Sequence, residues 1–564
     1  MEKNYLELVE LGIALGAERN IKRLVERILI GAKKMANADG GTLYILDEDQ
    51  QVLHFAMVHN DTLNIALGGT TGHDIPFPPL NLYSLETGAP NFSNVATTVA
   101  LQGKGVNIED AYVCTDFDFS GTKAFDAGTG YRSKSFLTLP LKNHDDRVIA
   151  VLQLINSLDE NGAIVPFSEA IERMIGAMSS QAAVALDNQA LLEGQRNLLE
   201  ALIKMLASAI DAKSPYTGGH CQRVPELAKI MAQAAISQTE GAYADFNLNE
   251  EQLYEIHIAA WLHDCGKLTT PDSVMDKATK LHTIYDRIHE IRTRFEVLRR
   301  DAEIHMLRQQ LAGADKAATE QAFQATVAQL EDDFAFVANC NIGDEFMADA
   351  DVLRLQKIAE IPWVRYFDRT LGLSWEEKQR FHDMPPAPAP AIEKLLEDKP
   401  FMMAGSINQG ELYNLRIQRG TLTMEERQII NDHIVMTQHM LDQLPFPRAL
   451  KQVPEIAGNH HEKMDGSGYP KGLRGEDMSV PARIMAIADV FEALTARDRP
   501  YKEPKSLSQA LKILSFMVKD NHLDKDLFVL FVRSGAFRDY GARFLHPDQL
   551  DDVDTEALLA SIDA

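Results

Sequence analysis

From about Ser168 to Asp211 the chain reads as a single long helix, and that run constrains what can be built on either side of it. Met178, Ala185, Leu192, Leu199 and Leu206 form one column at seven-residue spacing, and Ile175, Ala182, Gln189, Arg196 and Ile203 form a second. Seams of that period face a partner helix. Polar Gln189 and Arg196, with Gly194, weaken the middle of the seam, which suits a parallel dimeric signalling helix able to change register. The same spacing also serves a helix packed on its own domain. At 564 residues the chain is too long for one hydrophobic core, so separate units are expected before and after the helix.

The formal charge of −26, from 56 basic and 82 acidic side chains, argues against a nucleic-acid polymer or an anionic membrane as the main partner. Any phosphate must therefore meet a local basic pocket. No run approaches the roughly eighteen apolar residues of a membrane span, and the N-terminus lacks a signal-peptide pattern, so a cytoplasmic protein is expected. The four cysteines, Cys114, Cys221, Cys265 and Cys340, show no CxxC spacing and imply neither a disulfide framework nor a zinc ribbon.

Before the helix, Leu6 to Met35 carries a helical apolar rhythm, while Thr42 to Ile45 and Val52 to Val58 alternate like strands. Ser135 to Ile155 gives two more strands around the turn Asn143 to Asp146. The strand pair SFLTLPL and VIAVLQLINS, followed by PFS, resembles a GAF domain, an α/β sensor with a central antiparallel sheet. The resemblance implies an unidentified small-molecule ligand. Asn156, Phe167 and Glu172 fit the set some members use for cyclic nucleotides, but Ser157 and Ile171 depart from it.

After the helix, Ile284, Ile288, Ile291, Phe295, Leu298 and Ala302 step by four and three, and beyond Gly313 so do Phe323, Val327, Leu330, Phe334 and Val337. That pattern predicts an αα-hairpin. Met384 to Ala391 is Pro-rich and reads as an extended linker. A helical pattern resumes at Thr423, where Thr423 and Glu426 make a capping box, and the acidic residues from about His546 are expected to fray.

The chemistry-bearing residues lie outside that hairpin. His-Asp occurs four times, but only His263-Asp264 ends an apolar helix and continues into Gly266-Lys267. A carboxylate beside an imidazole at a helix end can bridge two cations while the imidazole binds one. Gly266 gives the backbone room to turn, and Lys267 can reach a phosphoryl oxygen. His220, His433, the pair His460-His461 and Asp489 follow. Singly, His433 also reads as a core histidine, Asp489 as a buried cap partner and His220 as a helix N-terminal residue. Jointly, segments offering imidazole and carboxylate without thiolate point to a pair of divalent cations such as iron or manganese rather than structural zinc.

The whole pattern, H…HDxGK…H…HHExxDGSGYPxG…ARI…AD…ALT…RPYK, resembles the HD-GYP branch of the HD phosphohydrolases. The resemblance implies a phosphodiesterase of 3′,3′-cyclic dinucleotides, chiefly cyclic di-GMP, giving linear pGpG and GMP. Carried over by position, His220, His263, Asp264 and Asp489 hold one metal, and Asp264, His433, His460 and His461 the other. It also implies that Lys213, Arg223, Arg499 and Lys502 lie near the phosphates with Lys267. Tyr216 stands where some members place a third-metal Glu, so two metals are expected. The GYP loop around Gly466, Gly468, Gly472 and Gly475 is linked in the family to pocket shape and to diguanylate-cyclase contacts.

The expected architecture is multidomain: an α/β GAF domain over 1–167, a connecting and dimerising helix over 168–211, and an all-α HD-GYP domain over 212–546. A helical-hairpin insert occupies about 280–420, and 547–564 is an acidic tail. The expected chemistry is attack on phosphorus by a hydroxide held between two cations, in line with the departing 3′-oxygen, with Asp264 and Lys267 as the catalytic side chains. Two alternatives stay open: 3′,3′-cyclic GMP-AMP as preferred substrate, and a silent receptor for cyclic dinucleotide or a cyclase.

Overall fold

The alternating stretches of the N-terminal part pair into one antiparallel sheet because each has an apolar face and turn residues at its ends. The computed structural model describes residues 2–47, 49, 51–213, 219–343, 346–381, 385–398, 402–497 and 504–563, in two units, Met1–Leu199 and Glu200–Ala564.

In the first unit, α1 (Glu2–Ala17) and α2 (Ile21–Ala36) divide the expected Leu6 to Met35 run, with Asn20 capping α2. The strands are β1 (Ala38–Leu46), β2 (Val52–Asn60), β3 (Ile65–Gly68), β4 (Leu80–Asn81), β5 (Val106–Ile108), β6 (Phe136–Lys142), β7 (Val148–Leu158) and β8 (Ile164–Val165). Their order is β3-β2-β1-β7-β6-β5, with β4 on β2 and β8 on β7. α3 (Val95–Gln102) and α4 (Ser120–Thr129) fill the stretch that periodicity left unassigned. Leu24, Ile28, Leu29 and Ala32 of α2 are fully buried in a cluster that includes Leu43, Leu152 and Leu154 of the sheet. A Cβ at Gly41 would lie 2.9 Å from the Leu29 side chain and 3.0 Å from Gln153 O, so helix and sheet approach over glycine.

The residues of the suggested cyclic-nucleotide set serve this fold. Asn156 Oδ1 accepts from Lys134 N–H, and its Nδ2 donates to Tyr131 Oη and Arg132 O. Phe167 is buried in the core, and Glu172 accepts from Asn107 Nδ2.

Helix α5 (Glu169–Lys213) is continuous over 45 residues. Its two columns do not form one uniform seam. Ile175, Met178, Ala182, Ala183 and Leu186 pack into the first unit's core, and Gln189 donates to Arg19 O at 2.7 Å, so the reading of a helix packed on its own domain holds for this part. Leu191, Leu192, Leu198, Leu202 and Met205 are exposed.

The second unit is mostly helical: α6 (His220–Ile236), α7 (Glu250–Leu262), α8 (Asp272–Met275), α9 (Ile288–Leu311), α10 (Lys316–Ile342), α11 (Asp349–Ala359) and α12 (Trp375–Gln379). Then come α13 (Glu411–Leu415), α14 (Met424–Asp442), α15 (Val453–Gly458), α16 (Val480–Thr495), α17 (Leu507–Lys519), α18 (Lys525–Arg533), α19 (Ala536–Phe544) and α20 (Thr555–Asp563). Two small ribbons interrupt them, β9 (Pro362–Arg365) with β10 (Ala391–Lys394) and β11 (Met403–Ala404) with β12 (Ile407–Asn408). Among the described residues no helix is long and apolar enough to cross a membrane.

The expected hairpin is α9 and α10, turning at Gly313 with Asp315 capping α10. It belongs to a larger body, because Ile288, Ile291, Phe295 and Val337 share a core with Leu355 and Ile358 of α11, Leu395, Leu396 and Leu415. Ile284, counted in the apolar repeat, lies before α9 and is 95% exposed. The Pro-rich stretch is pinned where it is described: Arg365 donates to Ala387 O at 2.7 Å, and β10 begins at Ala391. The acidic end also differs from expectation. Leu559 of α20 is buried, and Gln549 donates to Thr495 O and Lys505 O, so apolar burial holds a segment whose composition reads as a tail.

Candidate metal centre

Five segments of the second unit deliver imidazoles and carboxylates to one buried place. α7, capped by the Asn249–Gln252 box, buries Ile256, Ile258, Ala259, Ala260 and Leu262 and ends at His263. The chain then tightens into a 3-10 turn over Cys265–Thr269. Here Gly266 serves less for turning than for closeness. A Cβ on it would lie 1.9 Å from His433 O and 2.5 Å from Thr437 N, and its own N–H donates to Thr437 Oγ1. That approach seats Asp264 against α14.

His220 is the first residue of α6, His433 lies within α14, His460 and His461 follow α15, and Asp489 lies within α16. Asp264 Oδ2 is 3.3 Å from His220 Nε2 and 3.2 Å from His263 Nε2, while Oδ1 is 3.3 Å from His433 Nε2. Asp489 Oδ1 lies 3.2 Å from His220 Nε2 and 3.7 Å from His263 Nε2. Three groupings have donor atoms mutually within 4.8 Å: His220, His263 and Asp489; His433, His460 and His461; and His263, Asp264 and His460. Asp264 thus turns one oxygen to each side.

The imidazoles are oriented from behind. His263 Nδ1 meets Ala260 O at 2.7 Å, His460 Nδ1 meets Ala457 O at 2.7 Å, and His433 Nδ1 meets Ile430 O. A carbonyl only accepts, so Nδ1 carries a proton and Nε2 is the ring atom turned to the centre. His433 Nε2 and His460 Nε2 are buried without a hydrogen-bond partner, an arrangement that calls for a Lewis acid or a donor. Donors around one cation with bonds of about 2.1 Å stand about 3.0–3.4 Å apart, which the 3.2 and 3.3 Å separations of Asp264 from His220, His263 and His433 match. On both grounds the residues fit divalent metal.

The two sides differ in charge. Burial disfavours charged His220 and His263, yet carboxylates outweigh it: Glu492 and Asp264 hold His220 well above its usual range, and Asp264 pushes His263 up to about 9. Burial and the charge of His263 push His460 down to about 4, and burial with His460 holds His461 well below its usual range. Burial opposes ionisation of Asp264 and Asp489, but Lys267 and His263 hold the first, and His220 and His263 the second, far below the carboxylate range.

The expected phosphate-side residues divide. Lys267 Nζ lies 2.6 Å from Asp264 Oδ2, and although burial opposes its charge, Asp264 raises its pKa. Arg223 turns Nε to Glu492 Oε1 at 2.6 Å. Lys213 donates to Leu268 O and Thr270 O, both at 2.6 Å. Arg499, Lys502 and Tyr216 lie outside the described residues.

Two residues singled out by no motif support the ligands. Glu492 is fully buried and bonds His220 Nδ1 through Oε2 and Arg223 through Oε1; burial opposes its ionisation, but His220 and Arg223 push its pKa down to about 2. Its signal was available, since it lies three residues after Asp489 on the same face of an apolar helix. Glu462, also buried, accepts Lys471 N–H at 2.7 Å and Leu473 N–H at 2.9 Å and so fastens the GYP loop. A Cβ at Gly468 would lie 2.4 Å from Lys463 N, and the Tyr469 ring stacks on His461 at 4.9 Å and 22°.

Residues 402–527 match the HD domain family and residues 20–186 the GAF domain family. The chain is 43% identical over 115 residues to the 3′3′-cGAMP-specific phosphodiesterase 1 of Vibrio cholerae, covering 20% of this chain and 26% of the relative. It is 35% identical over 137 residues to a probable cyclic di-GMP phosphodiesterase of the same organism, covering 23% and 31%. It is 41% identical over 96 residues to the cyclic di-GMP phosphodiesterase of Thermotoga maritima, covering 17% and 26%. The chain spans about a quarter to a third of the length of these curated relatives. It therefore carries a GAF domain and an HD domain.

Proposed function

We propose that the chain is a metal-dependent phosphodiesterase that hydrolyses 3′,3′-cyclic dinucleotides, with cyclic di-GMP as substrate and linear pGpG as first product. The observation that carries this reading is Asp264, whose two oxygens each face a separate cluster of donors. His220, His263, Asp264 and Asp489 would hold one cation, and Asp264, His433, His460 and His461 the other. When bound, two such ions supply an activated water and offset charge on the phosphoryl group. Iron or manganese suits imidazole and carboxylate donors without thiolate.

The remaining work falls to this chain's own side chains. Glu492 fixes the ring of His220 and keeps its Nδ1 proton in place. Lys267, protonated through its pairing with Asp264, sets a positive charge beside the bridging carboxylate, where a phosphodiester that gains negative charge as water adds to phosphorus is stabilised by it. Hydrolysis adds water across one phosphorus–O3′ bond: the water oxygen joins phosphorus, and the 3′-oxygen leaves and takes up a proton. Tyr469, stacked on His461, supports a pocket role for the GYP loop ahead of a docking role toward cyclase domains.

Names among the relatives include both cyclic di-GMP and 3′3′-cGAMP enzymes, so both substrates belong in the test. Manganese- or iron-loaded protein is incubated with each cyclic dinucleotide and the products are separated by chromatography. Turnover of cyclic di-GMP faster than cyclic GMP-AMP is expected. The reverse order would reassign the substrate, and tight binding without turnover of either would make the protein a receptor. The exposed Leu191, Leu192, Leu198, Leu202 and Met205 support a parallel dimer through α5, and the GAF domain supports control by a small ligand.

A further inference from the structure

The last turn of α5 holds two of the ligand-bearing segments at once. Asp211 Oδ2 accepts the Gly219 N–H at 3.1 Å, and Gly219, at φ +83°, immediately precedes His220. Two residues on, Lys213 Nζ donates to Leu268 O and Thr270 O, with Asp272 Oδ1 at 3.6 Å. Those carbonyls belong to the segment that starts at Asp264: Lys267 N–H returns to Asp264 O, and Thr270 N–H to Lys267 O. Of the three donors of this ammonium, two are taken by carbonyls of this segment. A lysine in a last helical turn ordinarily serves its own helix's carbonyls; here it serves another segment's.

Resting on the two-cation reading, we propose that Asp211 and Lys213 are positioning residues that set the separation of His220 from Asp264, so that the last turn of α5 holds the carboxylate-rich half of the centre directly and reaches the imidazole half through the shared Asp264 alone. The hydrogen bonds described for Asp211 and Lys213 reach the His220 and Asp264 segments and none that carries His433, His460 or His461.

The test uses the full chain with Lys213→Met, Asp211→Ala and Asp211→Asn. Titration with manganese alone, followed by electron paramagnetic resonance, gives the affinity of each site. Asp211→Ala, which loosens the His220 segment, is expected to weaken one site by about tenfold or more and leave the other within about twofold, and Lys213→Met, which loosens the segment of the shared Asp264, to weaken both. Asp211→Asn keeps an oxygen for the Gly219 N–H and is expected to stay near wild type. Unchanged affinity at both sites in either variant, or equal weakening of both in Asp211→Ala, would overturn the proposal. Hydrogen exchange of the metal-free protein separates this from failure of the two-cation reading. In Lys213→Met, exchange should rise over 264–270 and stay unchanged around 433 and 460, and unaltered exchange over 264–270 would overturn the clamp. Wild-type protein that binds a single manganese ion would overturn the two-cation reading and leave the exchange result to judge the clamp.

Discussion

On one side of Asp264 stand His220, His263 and Asp489, and on the other His433, His460 and His461. The first side contains carboxylates and is backed by a further one, Glu492, with Arg223 behind it. The second has only imidazoles besides its share of Asp264, and its supports are backbone carbonyls, the stacked ring of Tyr469 and the body of the insert. The insert reaches it through α14: Lys277 Nζ lies 2.7 and 2.8 Å from the two Glu426 oxygens and 2.9 Å from Asn414 Oδ1. Two half-sites sharing one aspartate are thus anchored to different parts of the chain, which allows each to be loosened separately.

The shared residue should give the largest effect, because it serves both halves. Asp264→Asn should lower turnover by at least about a thousandfold, roughly 4 kcal/mol of transition-state stabilisation, and elemental analysis should show both metals depleted. An active variant with full metal content would dissolve the distinction between halves altogether. Next comes the support of the imidazole side. Lys277→Met strands a Glu426 that is 4% exposed, so chemical denaturation should show about 3 kcal/mol of lost stability. A loss below about 1 kcal/mol would mean that the insert does not hold α14.

The carboxylate side should respond more gently. Glu492→Gln keeps the shape but removes the charge behind His220, and manganese affinity should fall about tenfold to a hundredfold at one site. Equal weakening at both sites would show that the halves are not separable. The smallest effect concerns Lys280, which is 1% exposed with Leu415 O as its described acceptor, unlike Lys277 with its carboxylate. Burial lowers its pKa, so the folded chain gives up this proton more readily than the unfolded chain does. Wild-type stability from this group therefore rises as pH increases toward 10.5, the unfolded value. Lys280→Met should stabilise by about 1 kcal/mol at pH 7 and by less at pH 10 in denaturant titrations. A destabilised variant would show that the insert depends on this charge.

The sequence was most informative where chemistry restricts residue type. Strand alternation around Asn143 to Asp146, the Thr423–Glu426 capping box and the run of imidazoles and carboxylates each leave few substitutes, and each is found with the local structure its pattern predicts. Side chains that act through long-range partners were illegible. Nothing local tells Lys213 to turn toward Leu268, or gives Arg223 to Glu492, because an ammonium or guanidinium on a helix has the same sequence signature whether it faces phosphate, carboxylate or carbonyl. The insert's shared core was likewise hidden, since Leu395, Leu396 and Leu415 lie in segments too short for periodicity to report.

The place of the insert in the chain has a consequence for how the centre comes into being. Gly266 and Thr437, whose contact seats Asp264 on α14, are 171 residues apart in sequence. Joining the ends of a flexible loop that long costs about 4.5 kcal/mol of chain entropy, against about 3 kcal/mol for roughly thirty residues. An insert that condenses first on Ile288, Phe295, Val337 and Leu355 behaves as the shorter loop and carries α14 back toward the start of the insert with about 1.5 kcal/mol less to overcome. The order of events then runs from local to distant, with His220 and His433 meeting late, and a truncation inside the insert should slow the gain of manganese binding more than it lowers the final affinity.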